Sequence, residues 1–564
     1  MAYAFPPDEP GTTRPSTGPS PRHFELYHEQ RARGLLGRVF VTFRHLLGLL
    51  FGGGFAFVRY KKSQGEANTL EMLILRFLLL FTWPFLTKEL INQPFPIQFR
   101  RRLELLGPTY IKLGQILSLR EDLLPTSITD ELKNLLDRLP AVPFERFKQL
   151  IEADLHRPVE SIFQYIEPTP LGSASLAQTH RAVLTTQEMV VIKVLKPGVR
   201  QTVERDTVLL RLVGQILQLF LARFQPARLV NEFCRYTLRE VDLRFEAENA
   251  ETFAANFQDQ PDIRFPYVYR EFSSHGVLCM EYFQGLKPEP GTIQTLNQQQ
   301  KDRMIRLGVS ATIQMIFRDG FFHADLHPGN LLIFKNGQVG FIDLGMVGRF
   351  DNQTQRRMLY YFYSLVTGNP SDAARYLSSI ALVSKRSDID GFKRALEELY
   401  QRWLRSPNFY DFSIARVILE SVSLAGRYYI EYPGEIILMV KALVTVEGVG
   451  NVLAPGIDVK AASQEHIQRI IFEQYNLNRI FKESLLLIPE LLDLLNRSPL
   501  ALNDSLQTLE GRIKQPQSNS LSELRSAILA GFCLIAGAIL VANHSPWPFW
   551  AALFLLALIL AVKS

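Results

Sequence analysis

The sequence predicts an α+β fold of two lobes, with a helical extension in front and an apolar helical hairpin behind. Three observations carry this. Residues 160–198 hold short β-rich runs around a small-residue loop and a TTQE turn. Helical periodicity occupies 201–255 and resumes beyond 285, where only FFHADLHPGN and the pair LLIF and VGFIDLG interrupt it. Finally, the runs at 527–542 and 547–562 contain no charged residue and are joined by the tight turn NHSP. A chain of 564 residues, 47% hydrophobic and 21% charged, is too long for one core and suggests two or three parts.

Taken in order, residues 1–22 are rich in Pro, Gly, Ser and Thr, lack the apolar core of a signal peptide and are expected to be disordered. Residues 23–158 form the helical extension. Its apolar stretches 35–57 and 70–86 are interrupted by Arg38, Arg44 and Arg76, which favours packed or interfacial helices over bilayer spans. In GPTYIKLGQILSLREDLLP (107–125), Pro108 is placed to start a helix and Pro125 to stop it. Lys112 and Gln115, three apart, share a face of that helix, an arrangement that taken alone reads as a solvated polar stripe.

Residues 159–284 are assigned to a first lobe with inserted helices, 285–500 to a helical second lobe, 501–526 to a linker and 527–562 to a transmembrane hairpin. Each hairpin run falls slightly short of the ~20 residues of a span, and flanking residues close the gap. Trp547 and Trp550 sit where an interfacial aromatic belt would lie, and Arg525 and Lys563 place positive charge at both ends. The lobes are therefore expected on the cytoplasmic side of a membrane. Cys234, Cys279 and Cys533 form no CxxC pair, which excludes a disulfide framework or a cysteine metal site. A net charge of +6, with no Lys/Arg run interleaved with aromatics, argues against nucleic acid and suits an anionic membrane or a nucleotide.

The chemistry centres on residues 321–330, where His323, Asp325, His327 and Asn330 lie within eight positions. A metal cage of His323, Asp325 and His327 would need a further ligand, and the remaining histidines are scattered. Phosphoryl transfer asks instead for an Asp, an Asn five residues on, and a strand pair ending in Asp-x-Gly, which Asp325, Asn330 and Asp343 supply. In that chemistry Asn330 and Asp343 hold magnesium on the nucleotide phosphates, and Asp325 accepts or orients a hydroxyl proton.

Upstream, MVVIKV supplies Lys193 for the α and β phosphates, and Glu240, in a helix beginning near Leu229, is the candidate to hold that lysine. Gly172, Ser173, Ala174 and Ser175 would approach the phosphates, with one glycine where a covering loop usually has three. Met280, Glu281 and Phe283 would line an adenine hinge through backbone groups. His323 reads as a brace for the loop, and His327 stands where protein kinases usually place a phosphate-contacting lysine. The order of elements is that of a protein-kinase-like bilobal fold. After Asp343-Leu344-Gly345 the chain runs into a helical pattern without an APE sequence, so the segment that docks a peptide is missing. A small molecule, a lipid head group or water is the easier acceptor.

At LGPTYIKLGQ, SASLAQTHRA, REVDLRFEAENA, FHADLHPGN and IDLG, over about 95–460, the chain resembles the UbiB-type atypical kinases, also called AarF-domain kinases. The family's KxGQ motif falls on Lys112, Gly114 and Gln115, its ExD motif on Glu240 and Asp242, and its alanine-rich loop on 171–175. The resemblance implies that the N-terminal helices lie across the active site, with Lys112, Gln115, Asp242 and Glu246 in gating roles. It pairs Glu246, read as part of the Glu240 helix, with Lys112. It further implies ATP or ADP and Mg2+ as cofactors, and support of isoprenoid quinone or prenyl-lipid synthesis. Membrane lipids, prenyl-lipid or quinone intermediates and a membrane biosynthetic complex would be the partners. Two alternatives stand beside it: a small-molecule kinase of the aminoglycoside or choline phosphotransferase type, and a nucleotide-gated scaffold that turns over little ATP.

Overall fold

The computed structural model describes residues 34–63, 90, 93–118, 124–135, 141–220, 226–384, 386–405, 414–453 and 467–470, with single positions at 551, 554 and 555. Two units divide the chain, Met1–Glu473 and Gln474–Ser564, and every element named below belongs to the first. The predicted disordered N-terminus 1–22, the apolar stretch 70–86, the linker 501–526 and, but for those single positions, the hairpin 527–562 lie outside the described residues. Among the described residues no helix is long and apolar enough to cross a membrane.

The first lobe is built on a five-stranded antiparallel sheet of β1 (Phe163–Ile166), β2 (Gly172–Ser173), β3 (Ala177–Leu184), β4 (Met189–Leu195) and β6 (Val277–Glu281), in the order β1-β3-β4-β6 with β2 on β3. Alternation in MVVIKVL decides which way β4 faces: Val190, Ile192 and Val194 are buried on one side, which leaves Lys193 on the other. The buried side packs under Phe147 and Ile151 of the helix Phe144–Leu155. Gln187, at φ 75, takes the left-handed conformation that closes the TTQE turn between β3 and β4.

Among the described residues the extension contributes the helices α1 (Leu35–Ser63), α2 (Phe95–Leu106), α3 (Pro108–Leu117) and α4 (Thr126–Leu132), followed by α5, the Phe144–Leu155 helix already placed. Pro108 opens α3 as expected, but the described helix ends at Leu117, and Pro125 caps the start of α4 instead of ending a helix. A proline lacks the N–H that a helix interior needs and has the φ of a first turn, so it serves either boundary. Gly114 lets α3 approach closely, because a Cβ there would lie 2.4 Å from Leu135 Cδ1 and 2.8 Å from Leu103 Cδ1.

The extension shares a core with two helices inserted after β4, α6 (Val199–Phe220) and α7 (Pro226–Glu240). Arg38 is buried in this contact, bonded to Asp206 of α6 at 2.6 Å and 2.7 Å and to the Leu106 carbonyl at 2.6 Å. Its charge is satisfied by protein, as the packed-helix reading of 35–57 requires.

A break then follows at Val241-Asp242, where the Asp242 side chain caps α8 (Leu243–Asn256) by accepting from the Arg244 N–H at 3.2 Å. The second lobe begins with α9 (Pro290–Thr295) and α10 (Gln298–Ile313) and a π turn. It continues with β7 (Phe321–His323), the hairpin of β8 (Leu331–Ile333) and β9 (Val339–Phe341), and β10 (Val347–Arg349). β9 also pairs in parallel with β5 (Ile263–Arg264), and β10 pairs with β7 in the antiparallel sense. Helices α11 (Asn352–Thr367), α12 (Pro370–Ile380), α13 (Ile389–Arg405), α14 (Ile414–Ala425) and α15 (Gly434–Leu453) complete it. One large core joins α8 and the inner strands to these helices, so the lobes meet along the hairpin and α8.

Candidate active site

The segment after β7 is cross-linked to itself. His323 is fully buried; its Nδ1 accepts the Asp325 N–H at 3.1 Å and its Nε2 donates to the Ile342 carbonyl at 3.3 Å. Burial holds the ring below its ordinary pKa, which keeps it neutral and consistent with one donor and one acceptor. Both nitrogens are committed, so the histidine is a brace and not a metal ligand. His327 Nδ1 accepts the Gly329 N–H at 3.1 Å, and Asn330 Nδ2 donates to the Asp325 carbonyl at 3.0 Å. Among the described residues no cluster of three His, Cys, Asp or Glu side chains could hold a metal ion.

The hairpin delivers the Asp-Leu-Gly turn next to this loop, with the Ile342 N–H bonded to the Asn330 carbonyl at 2.9 Å. Asp343 has φ 57, a left-handed conformation uncommon for a residue other than glycine. Its Oδ1 meets Lys193 Nζ at 2.7 Å. The same ammonium donates to both carboxylate oxygens of Glu246 at 2.8 Å and 2.9 Å. Burial alone would pull Lys193 down, but Asp343 and Glu246 more than reverse this and hold it above its ordinary pKa. In return Lys193 keeps Asp343 well below the usual carboxylate range. Asn249 of α8 ties the turn in place by donating to the Leu344 carbonyl at 2.9 Å.

Here the structure corrects one assignment. Glu240 does not hold Lys193 and Glu246 does not hold Lys112; the two glutamates are exchanged. The cap at Asp242 ends one helix and begins another, so Glu240 and Glu246 sit on different helices, and Glu246 lies in the first turn of α8 below β4. Glu240, at the end of α7, faces the extension, where its Oε1 meets Lys112 Nζ at 2.9 Å. Its Oε2 is buried without a partner. Burial opposes the Lys112 charge, but Glu240, with the charges of Asp325 and Asp343 beyond it, raises its pKa. Asp242, expected in a gating role, is the cap and ion-pairs with Arg244 at 2.6 Å. Gln115 shares α3 with Lys112.

Gly172 and Ser173 form β2 opposite Thr179 and Gln178, and the Ala174 N–H bonds the Ala177 carbonyl at 2.9 Å, so 172–175 make a hairpin tip. Thr179 is also in register with Lys193, which sets that tip over the same end of the sheet. At the end of β6, Met280 is buried, Glu281 pairs with Arg264 at 2.5 Å, and Phe283 packs edge-on against Phe334.

One residue of the site escaped the sequence reading. Lys441 of α15 places its Nζ 2.7 Å from Asp325 Oδ1, while His327 Nε2 lies 3.8 Å from Oδ2. Burial pushes Asp325 up, but Lys441, with His327 and Lys112 beyond it, outweighs burial and holds the carboxyl below its ordinary pKa. The available signal was a lone lysine inside the apolar run IILMVKALV. Beside the Lys112–Glu240 pair a cavity of about 530 Å3 opens between Ile116, Tyr236, Phe245, Arg349 and Leu438.

Known proteins match the chain over most of its length. The ABC1 atypical kinase-like domain matches residues 134–377, and the UbiB helical domain matches 396–458, which contains Lys441. A probable protein kinase UbiB of Pseudomonas paraeruginosa is 30% identical over 495 residues, covering 84% of this chain and 90% of its own. Another, from Shewanella baltica, is 29% identical over 462 residues, 80% of this chain and 84% of its own. An uncharacterised protein of Synechocystis sp. is 29% identical over 506 residues, 84% and 88% of the two chains. With the kinase-like and helical domains matched in sequence and relatives aligned along most of their length, the chain belongs to the UbiB family of atypical kinases and is an enzyme of the kinase or ATPase type.

Proposed function

We propose that this enzyme binds ATP or ADP with magnesium and moves the terminal phosphoryl group of ATP to water or a small acceptor at a membrane, in support of isoprenoid quinone or prenyl-lipid synthesis. The observation that carries the reading is Lys193, bonded at once to Glu246 and Asp343 beside a loop that holds Asp325 and Asn330. That set suits the chemistry residue by residue. Lys193 offers positive charge at the sheet, under the hairpin tip 172–175, where nucleotide phosphates would lie.

Asn330 spends its Nδ2 on the Asp325 carbonyl, and Asp343 spends Oδ1 on Lys193. Asn330 Oδ1 and Asp343 Oδ2 are thus the oxygens left for a hard cation, and magnesium commonly takes few protein ligands beside water and phosphate. When bound there, it neutralises charge on the phosphates. Asp325, ionised beside Lys441, takes the proton of the incoming hydroxyl as the new O–P bond forms and the bond to the leaving diphosphate breaks.

Family membership supports the quinone part of the reading. The uncharged runs 527–542 and 547–562 support membrane anchoring with the lobes on the cytoplasmic side. Exposed Val39, Phe40 and Phe43 on α1 add an apolar surface to it.

Phosphate release from Mg·ATP by the purified full chain tests the reading, with and without anionic vesicles carrying quinone-precursor-like phenols. Release that the vesicles stimulate, and that falls about 100-fold or more in Asp325→Asn, is the expected result. Tight nucleotide binding without turnover would overturn it in favour of a scaffold.

A further inference from the structure

We infer that Lys441, from the helical domain, positions Asp325 for phosphoryl transfer by fixing which carboxylate oxygen remains open to the acceptor. The inference rests on the function proposed above and adds a residue to its site. Lys441 Nζ lies 2.7 Å from Asp325 Oδ1, within a charge-assisted hydrogen bond, and the two side chains are only 22% and 30% exposed.

The cation is not interchangeable with others nearby. Lys193 is committed to Glu246 and Asp343, and Lys112 to Glu240. His327, at the loop position that protein kinases give to a lysine, uses Nδ1 to accept from the Gly329 N–H and stands 3.8 Å from Asp325 through Nε2. That separation is beyond a hydrogen bond. A fixed positive charge therefore reaches Asp325 from α15, more than a hundred residues along the chain.

The helix carrying it is mostly apolar, and its two acidic residues have other partners. Glu435 accepts from Tyr236 Oη at 3.3 Å, and Glu447 accepts the Ala415 N–H at 3.2 Å. Half-burying a lysine on such a helix costs free energy unless an anion meets it, and the anion here is the aspartate of the loop. With Oδ1 held by Lys441, Oδ2 is left to receive the acceptor's proton. The acceptor O–H bond breaks toward Oδ2, its oxygen bonds phosphorus, and ADP departs with the electron pair of the broken P–O bond. Lys441 also keeps the carboxylate in one orientation while this happens, an effect that acts on turnover more than on nucleotide affinity.

The test uses Lys441→Met and Lys441→Arg in the full chain, reading turnover, Mg·ATP affinity and the thermal midpoint separately. Lys441→Met is expected to lower turnover about 100-fold with nucleotide affinity within about threefold of wild type, and Lys441→Arg to recover at least about tenfold of the loss. Turnover in Lys441→Met within about threefold of wild type, while Asp325→Asn abolishes it, overturns the role of Lys441 and leaves the proposed function standing. If Asp325→Asn itself turns over normally, both fall. Joint loss of turnover, affinity and thermal midpoint in Lys441→Met, unrescued by Lys441→Arg, marks a packing role and also overturns the inference.

Discussion

Lys112 Nζ meets Glu240 Oε1 at 2.9 Å, an ion pair that joins α3 of the N-terminal extension to the end of α7. If α3 gates the proposed site, this lysine competes with the cation or acceptor that Asp325 and Asp343 would otherwise receive. Replacing it by alanine is expected to raise or redirect phosphate release several-fold. Turnover of Lys112→Ala compared with wild type at saturating Mg·ATP checks this, and identical rates with identical products would remove the gating role of α3.

The exchange of Glu240 and Glu246 makes an energetic prediction. Double-mutant cycles on denaturation midpoints should show coupling of about 1–3 kcal/mol for Lys193 with Glu246 and for Lys112 with Glu240, against less than about 0.5 kcal/mol for Lys112 with Glu246. Strong coupling of that last pair would contradict the observed geometry.

Gly114, central to the KxGQ sequence, has a packing role that its neighbours make measurable. A Cβ would press on Leu135 and Leu103 at 2.4 Å and 2.8 Å, both buried between α2, α3 and α4. Gly114→Ala should destabilise the chain by about 1–3 kcal/mol through overpacking, despite the better helix propensity of alanine. A midpoint equal to or above that of wild type would show that the leucines move aside freely.

Acid should loosen the extension at His45. Burial, reinforced by the charges of Arg102, Arg44 and Arg38, lowers its pKa to about 4. The unfolded chain, with a histidine pKa of about 6.5, then binds a proton that the folded chain refuses, so stability falls as pH drops from about 6.5 to about 4. The upper limit of that loss is about 3 kcal/mol. His45→Gln cannot titrate and should lose less stability than wild type over this interval, as thermal midpoints at pH 7 and 4.5 would show. Equal losses would mean that His45 stays solvated and titrates normally.

Much of the candidate site could be read from residue order because its parts are local in sequence. Asp325 and Asn330 share one loop, Asp343 ends the adjoining hairpin, and Lys193 lies on the β-rich run MVVIKV after the small-residue loop. What resisted reading depends on where helices end and what they meet. Glu240 and Glu246 are six residues apart, and spacing alone could not reveal that Asp242 starts a new helix between them. Pro125 fits the end of one helix as well as the start of the next. Lys441 meets Asp325 only through the tertiary fold, and a lone lysine in an apolar run does not by itself name a partner that distant in sequence.

Calorimetric titration of the full chain with ATP, with and without magnesium, tests the nucleotide site most directly when wild type is compared with Asp343→Asn. Magnesium-dependent binding is expected in wild type, with its loss, by about 100-fold or more in affinity, in a variant that keeps the shape of the side chain but removes its charge. Equal magnesium-dependent affinity in the two proteins would contradict the placement of the nucleotide between Lys193, Asn330 and Asp343.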